Sequence, residues 1–122
     1  MFNKVILIGN LIADPEMRYI PSGSGVCNFK IAVNRKYKSG DETKEEVLFI
    51  GITAWGKSAE NCAQYLNKGS QVLVEGRLQQ QNWEADGQKR SKIEVVSESV
   101  KFMSKPQAKQ EAPQNNSDIE PF

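Results

Sequence analysis

A small all-β barrel of five strands, with one helix between the third and fourth, is the fold class this sequence predicts. Three observations predict it. Short apolar runs alternate with period two, one central stretch has helical spacing, and turn residues gather around Gly40 and Gly87. With 122 residues the chain can build one hydrophobic core but not two ordinary domains.

The first strand is read over residues 5–11, a β-branched and mostly apolar run expected to be covered on both faces. Over 27–34 the pattern alternates, with Cys27, Phe29, Ile31 and Val33 on one side and Lys30, Ala32 and Asn34 on the other. Residues 47–55 place Leu48, Ile50, Ile52 and Ala54 inward, and 71–81 do the same with Val72, Val74, Gly76 and Leu78. The fifth strand, 93–102, starts with Ile93 and Val95 in phase and then blurs, so a bulge is expected near Val96. Ala59, Cys62, Ala63 and Leu66 recur at i, i+3, i+4, i+7, predicting a helix capped by Ser58 and closed by Gly69. The turns around residues 39–41 and 86–87 each read as the tip of an extended hairpin. This order of elements is that of an OB-fold barrel, a fold whose strand 2–3 face and flanking loops bind oligonucleotides or oligosaccharides.

The barrel is assigned to residues 1–105. Residues 106–122 are rich in Gln, Asn, Pro and Ala, with too little apolar surface to offset ordering entropy, and are expected to be disordered. Net charge is only +1, but its distribution is uneven. Residues 1–105 carry 15 Lys/Arg against 12 Asp/Glu, and residues 106–122 carry one Lys against three acids. The absence of histidine removes the commonest general base and metal ligand. Cys27 and Cys62 match no zinc spacing and fall on apolar faces, so they read as reduced, buried thiols of a cytosolic protein. Gly9-Asn10 interrupts the N-terminal apolar run, which argues against a secretory signal, and no stretch is long enough to span a bilayer. No cofactor or metal is expected.

Strand parity carries the functional reading. Phe49, Gly51, Thr53 and Trp55 share the face opposite the core set, as do Arg77, Gln79, Gln81 and Trp83 in the next strand. Tyr37 lies in the cluster Arg35-Lys36-Tyr37-Lys38 at the base of the first hairpin, and Lys89 and Arg90 lie at the second. Aromatics interleaved with cations suit a single nucleic-acid strand, because bases stack on rings while Lys and Arg neutralise phosphates. The competing reading is that the aromatic face packs against another subunit. Residues 51–58 also match the phosphate-loop pattern GxxxxGK[ST]. The intervening residues continue the strand alternation, however, and the repeated strand–helix units of an α/β NTPase are missing, so an ATPase is set aside. No catalytic set is found.

Several motifs in order resemble the bacterial single-stranded DNA-binding protein family: residues 3–11 (NKVILIGNL), 14–19 (DPEMRY), 56–60 (GKSAE), 65–70 (YLNKGS) and 74–78 (VEGRL). The resemblance covers residues 2 to about 103 and implies an OB-fold, usually homotetrameric, that wraps single-stranded DNA in replication, recombination and repair. It places the stacking aromatics on Tyr37, Phe49, Trp55 and Trp83; Tyr37 and Phe49 stand where better-known members carry tryptophan. It places backbone contacts on Arg18, Arg35, Lys57 and Lys68, to which the residue pattern adds Lys36, Arg77, Lys89 and Arg90. The family's acidic tip, which docks replication and repair proteins, is similar to Asp118, Ile119, Glu120, Pro121 and Phe122, with fewer acids and Glu120 inserted. A cytoplasmic, nucleoid-associated protein is implied. A related OB module for replication restart or RNA is the nearest alternative, against which the tail and both tryptophans argue.

Overall fold

The computed structural model describes residues 1–103. The boundary expected at 105/106 and the tail beyond it lie outside the described residues. Six strands and one helix follow in order: β1 (Val5–Leu11), β2 (Glu16–Tyr19), β3 (Gly25–Ser39), β4 (Glu42–Trp55), α1 (Gly56–Tyr65), β5 (Gln71–Ala85) and β6 (Gln88–Phe102). The extra strand is β2, four residues that run along the start of β3 from Glu16↔Asn28 to Tyr19↔Gly25. Its presence moves the helix to between the fourth and fifth strands counted this way. A four-residue strand without clear alternation is too short for periodicity to reveal.

The sheet runs β1-β5-β6-β4-β3, and β1 pairs again with β3 at Asn10↔Ala32 and Leu11↔Ile31, which closes the five-stranded barrel. Every neighbouring pair is antiparallel except β4 and β6, which run parallel at Ile52↔Val95 and Thr53↔Val96. Inside sit Cys27, Ile31, Ile52, Ala54, Val72, Val74 and Val95, all essentially solvent-free. α1 closes one end of the barrel with Ala59 and Cys62, and Leu66 follows them inward.

The helix begins without a side-chain cap. Trp55 is the extended N-cap residue and Ser58 lies within the helix, not at its start. Gly56, at φ +61, makes the reversal from strand to helix directly, a conformation L side chains rarely adopt. At the other end the helix stops at Tyr65, four residues before Gly69, and the N–H of Leu66 donates to the carbonyl of Cys62. Gly69 serves the next turn instead, donating to the carbonyl of Leu11 at 2.9 Å. The bulge expected near Val96 is at Glu98, the unpaired residue between Gly76↔Ser97 and Glu75↔Ser99. A Cβ on Gly76 would collide with the backbone carbonyl of Val96, so the two strands approach there only because position 76 has no side chain.

Three expectations of burial fail for one reason. Leu48, Leu78 and Ile93 have core parity yet are exposed, Ile93 at 57%. At about 3.3 Å per residue, strands of 14 or 15 residues run to about 50 Å, well beyond a small barrel. The distal halves of β3–β4 and β5–β6 therefore leave the barrel as two-stranded ribbons with both faces in solvent. β1 is likewise not covered on both faces: it alternates, with Ile6 and Ile8 exposed, because none of the described residues packs on its outer side.

Candidate nucleic-acid interface

The outer face of the barrel is assembled from alternate residues of β2, β3, β4, β6 and β5. Arg18, Val26 and Trp55 form one cross-strand row, and Asn28 stands opposite Thr53 in the next. Lys30 is opposite Gly51, Gln79 opposite Glu94, and Gln81 opposite Lys92. Together these line a cleft of about 510 Å³ that opens on this face, with Trp55 at its lip.

Phe49 is 58% exposed and Trp55 46%, both on this face, as their parity predicts. Trp83 is 45% exposed on the β5–β6 ribbon, across from Arg90, in a hollow that Lys89 also lines. Tyr37 is also exposed, but its register with Lys44 puts it on the opposite side of the β3–β4 ribbon from Phe49. There the Arg35 guanidinium lies 5.1 Å from the Tyr37 ring centroid and pairs with Glu46 at 2.8 Å. The four rings thus belong to three places: the barrel face, the far side of one ribbon, and the second ribbon.

The cations divide in the same way. All eight positions read from the sequence are exposed. Arg18 lines the cleft, and Arg77 stands on the same face opposite Val96. Arg35 and Lys36 belong to the first ribbon, Lys89 and Arg90 to the second. Lys57 is in the first turn of α1, and Lys68 is in the loop after it, its N–H donating to Asp14 Oδ1 at 2.8 Å. Neither Lys57 nor Lys68 lines the cleft.

The floor of the cleft contains groups that the aromatic-and-cation reading passed over. Arg18 Nη2 donates to Asn28 Oδ1 at 3.4 Å, Asn28 Nδ2 donates to Thr53 Oγ1 at 2.9 Å, and Thr53 donates to Glu94 Oε1 at 2.7 Å. Thr53 is buried by this chain, although its parity turns it outward. Lys30 and Lys92 flank it. The signal for Lys92 and Glu94 was available, since Ile93 and Val95 in phase inward turn residues 92, 94 and 96 outward.

The phosphate-loop pattern lies mostly on β4: residues 51–55 are strand, so no loop is formed there whose N–H groups converge. Among the described residues no three His, Cys, Asp or Glu side chains gather as a metal cluster. None of the described helices is long and apolar enough to cross a membrane. Both cysteines are free and buried; burial pushes the Cys62 thiol up to about 12, aided by Cys27 nearby and opposed by a hydrogen bond from Ser58. Burial also raises the Cys27 thiol. Asp118, Ile119, Glu120, Pro121 and Phe122 lie outside the described residues.

Comparison with known proteins adds a family to this geometry. Residues 2–103 match the model of the single-strand binding protein family. A single-stranded DNA-binding protein of Treponema pallidum is 46% identical over 101 residues, 83% of this chain and 57% of that protein. The chain therefore spans little more than half the length of that relative. One from Aquifex aeolicus is 41% identical over 123 residues, covering 100% of this chain and 84% of its own. Among solved structures, a deletion mutant of the single-stranded DNA binding protein from Thermus aquaticus superimposes with a TM-score of 0.75 at 33% identity. That match covers 84% of this chain and 51% of the other.

Proposed function

Because this chain belongs to the single-strand binding protein family, we propose that it binds and protects single-stranded DNA without dependence on sequence, serving replication, recombination and repair. The observation that carries the reading is that Phe49 and Trp55 on the barrel face and Trp83 on the second ribbon are about half exposed, with Arg18 and Arg77 beside the first two and Arg90 beside the third. Each base stacked on such a ring contributes about 1–3 kcal/mol, and every base has a face to stack, so the affinity is tolerant of sequence. Tyr37 extends the track around the first ribbon. Lys36, Lys57, Lys68 and Lys89 continue the cationic edge along which phosphates run, with Arg35 available once it exchanges Glu46 for a phosphate.

The protein acts by binding and holds no catalytic role in this reading. Exposed Ile6 and Ile8 on the outer side of β1 supply an apolar surface for self-association, and a homotetramer is the proposed assembly. Residues 118–122 recruit replication and repair proteins, and the site of action is the cytoplasm at the nucleoid. Titration of intrinsic tryptophan fluorescence with oligo-dT, duplex DNA and RNA tests the central claim. Strong quenching by oligo-dT and little by duplex is expected. Equal response to duplex would mean that the aromatic face does not stack on bases, and would leave it as a subunit interface.

A further inference from the structure

A carboxylate beneath a face that holds a polyanion repels phosphate and is suited instead to a group that donates a hydrogen bond. Glu94 is such a carboxylate. It is 6% exposed, lies on the floor of the cleft, and has no cation within ion-pair distance among the described residues. Burying an ionised carboxylate is costly unless hydrogen bonds compensate, and here one side-chain donor, Thr53, does so. The chain behind it is polarised in one direction: Arg18 donates to Asn28, Asn28 to Thr53, and Thr53 to Glu94. Glu94 is therefore the accepting end of a four-residue relay. Its Oε2 receives no side-chain donor from the described residues and keeps accepting capacity.

Access comes from Gly51. A Cβ placed there would meet only the Cβ of Glu94, at 3.9 Å, so the missing side chain leaves room beside Glu94 in the cleft that both residues line. Lys30 stands across from Gly51 and Gln79 across from Glu94, with Trp55 also lining the cleft. A strand lying here meets cations that attract its phosphates and an anion that repels them. The base, not the phosphate, is then turned toward Glu94.

Resting on the single-stranded DNA reading above, we propose that Glu94 accepts a hydrogen bond from the exocyclic amino group of a stacked base, cytosine N4 or adenine N6. Carboxylates accept from cytosine N4, whereas thymine offers the acceptor O4 at the same edge. The protein carries a modest preference for amino-bearing bases at this one position, superimposed on stacking that is indifferent to sequence. Thr53 is a positioning residue: its hydroxyl holds the carboxylate in place.

The test compares oligo-dC, oligo-dA, oligo-dT and an abasic oligomer of equal length, titrated against the full chain by tryptophan fluorescence. Ratios of variant to parent cancel each homopolymer's own stacking. Glu94→Gln, which presents a donor as well as an acceptor, is expected to lower the dC-over-dT affinity ratio by about fivefold, the size of one hydrogen bond. Gly51→Val fits the strand and should fold normally. It should produce the same loss of preference by covering a carboxylate that is still present. A uniform rise in affinity for all four oligomers in Glu94→Gln would show that Glu94 only repels phosphate, and would overturn the proposal. So would ratios unchanged in both variants. If the parent bound none of the oligomers, the DNA-binding reading itself would fail, which is a separate result.

Discussion

The two ribbons are continuations of four of the barrel's five strands, β3 to β6, yet side-chain parity means different things in barrel and ribbon. Within the barrel, inward residues such as Ile31, Ile52 and Val95 are sealed, and the outward ones of β2 to β6 surround one cleft. Past Val33 and Leu78 the strands continue to alternate, but among the described residues there is no second layer to pack against. Leu48 and Ile93 keep inward parity and remain exposed, and Tyr37 and Phe49 fall on opposite sides of one ribbon. Alternation reports which side a residue is on. What lies on that side decides whether it is core.

The largest expected effect breaks this comparison at the core. Ile52→Ala should lower unfolding free energy by about 2–5 kcal/mol, because a sealed site leaves a cavity behind. Leu48→Ala, of the same inward parity, should stay within about 0.5 kcal/mol. Denaturant unfolding of both variants checks the pair; equal losses would mean that the first ribbon is packed against something in solution.

A second contrast concerns binding. Trp55→Ala on the barrel and Trp83→Ala on the ribbon should each weaken oligo-dT binding by about 1–3 kcal/mol. If both sites stack, the two losses are of similar size despite their different supports. Loss at Trp55 with none at Trp83 would confine stacking to the barrel face.

Smaller again is the electrostatic share. Arg77→Ala on the barrel and Lys89→Ala on the ribbon should each reduce the log–log salt slope by about 0.7, one phosphate apiece, without changing base preference. A slope unchanged in Lys89→Ala would return that residue to the role of a solvated hairpin tip.

A last contrast concerns the end of the barrel that α1 covers. The folded Cys62 thiol sits at about 12, above its ordinary value of 9.0, because burial disfavours the thiolate. The unfolded chain can ionise first, so this contribution is complete below about pH 9 and is lost as pH rises toward 12. Stability should therefore decline more steeply above pH 9 in the parent than in Cys62→Ala. Parallel curves from pH-dependent denaturation would show that the thiol is more accessible than its burial implies.

Most of the candidate interface was legible in the strand pattern. Phe49, Trp55 and Trp83 are outward by parity, and the local run 35–38 marks the first ribbon. The helix was legible too, though not its start, since a glycine at positive φ takes the place of the side-chain cap expected of Ser58. The strand β2 was not, because four residues carry no usable period.

What the sequence determined by itself is the side each residue takes: period two is a property of the extended backbone and is the same in any sheet. Barrel closure settles which residues share that side. Glu94 and Thr53 are 41 residues apart, and the parallel pairing of β4 with β6 brings them to 2.7 Å. No local pattern records a contact of that kind, because it depends on closure of the whole barrel. The same closure sets where the barrel stops and the ribbons begin, and so which outward residues surround a cleft and which stand free in water.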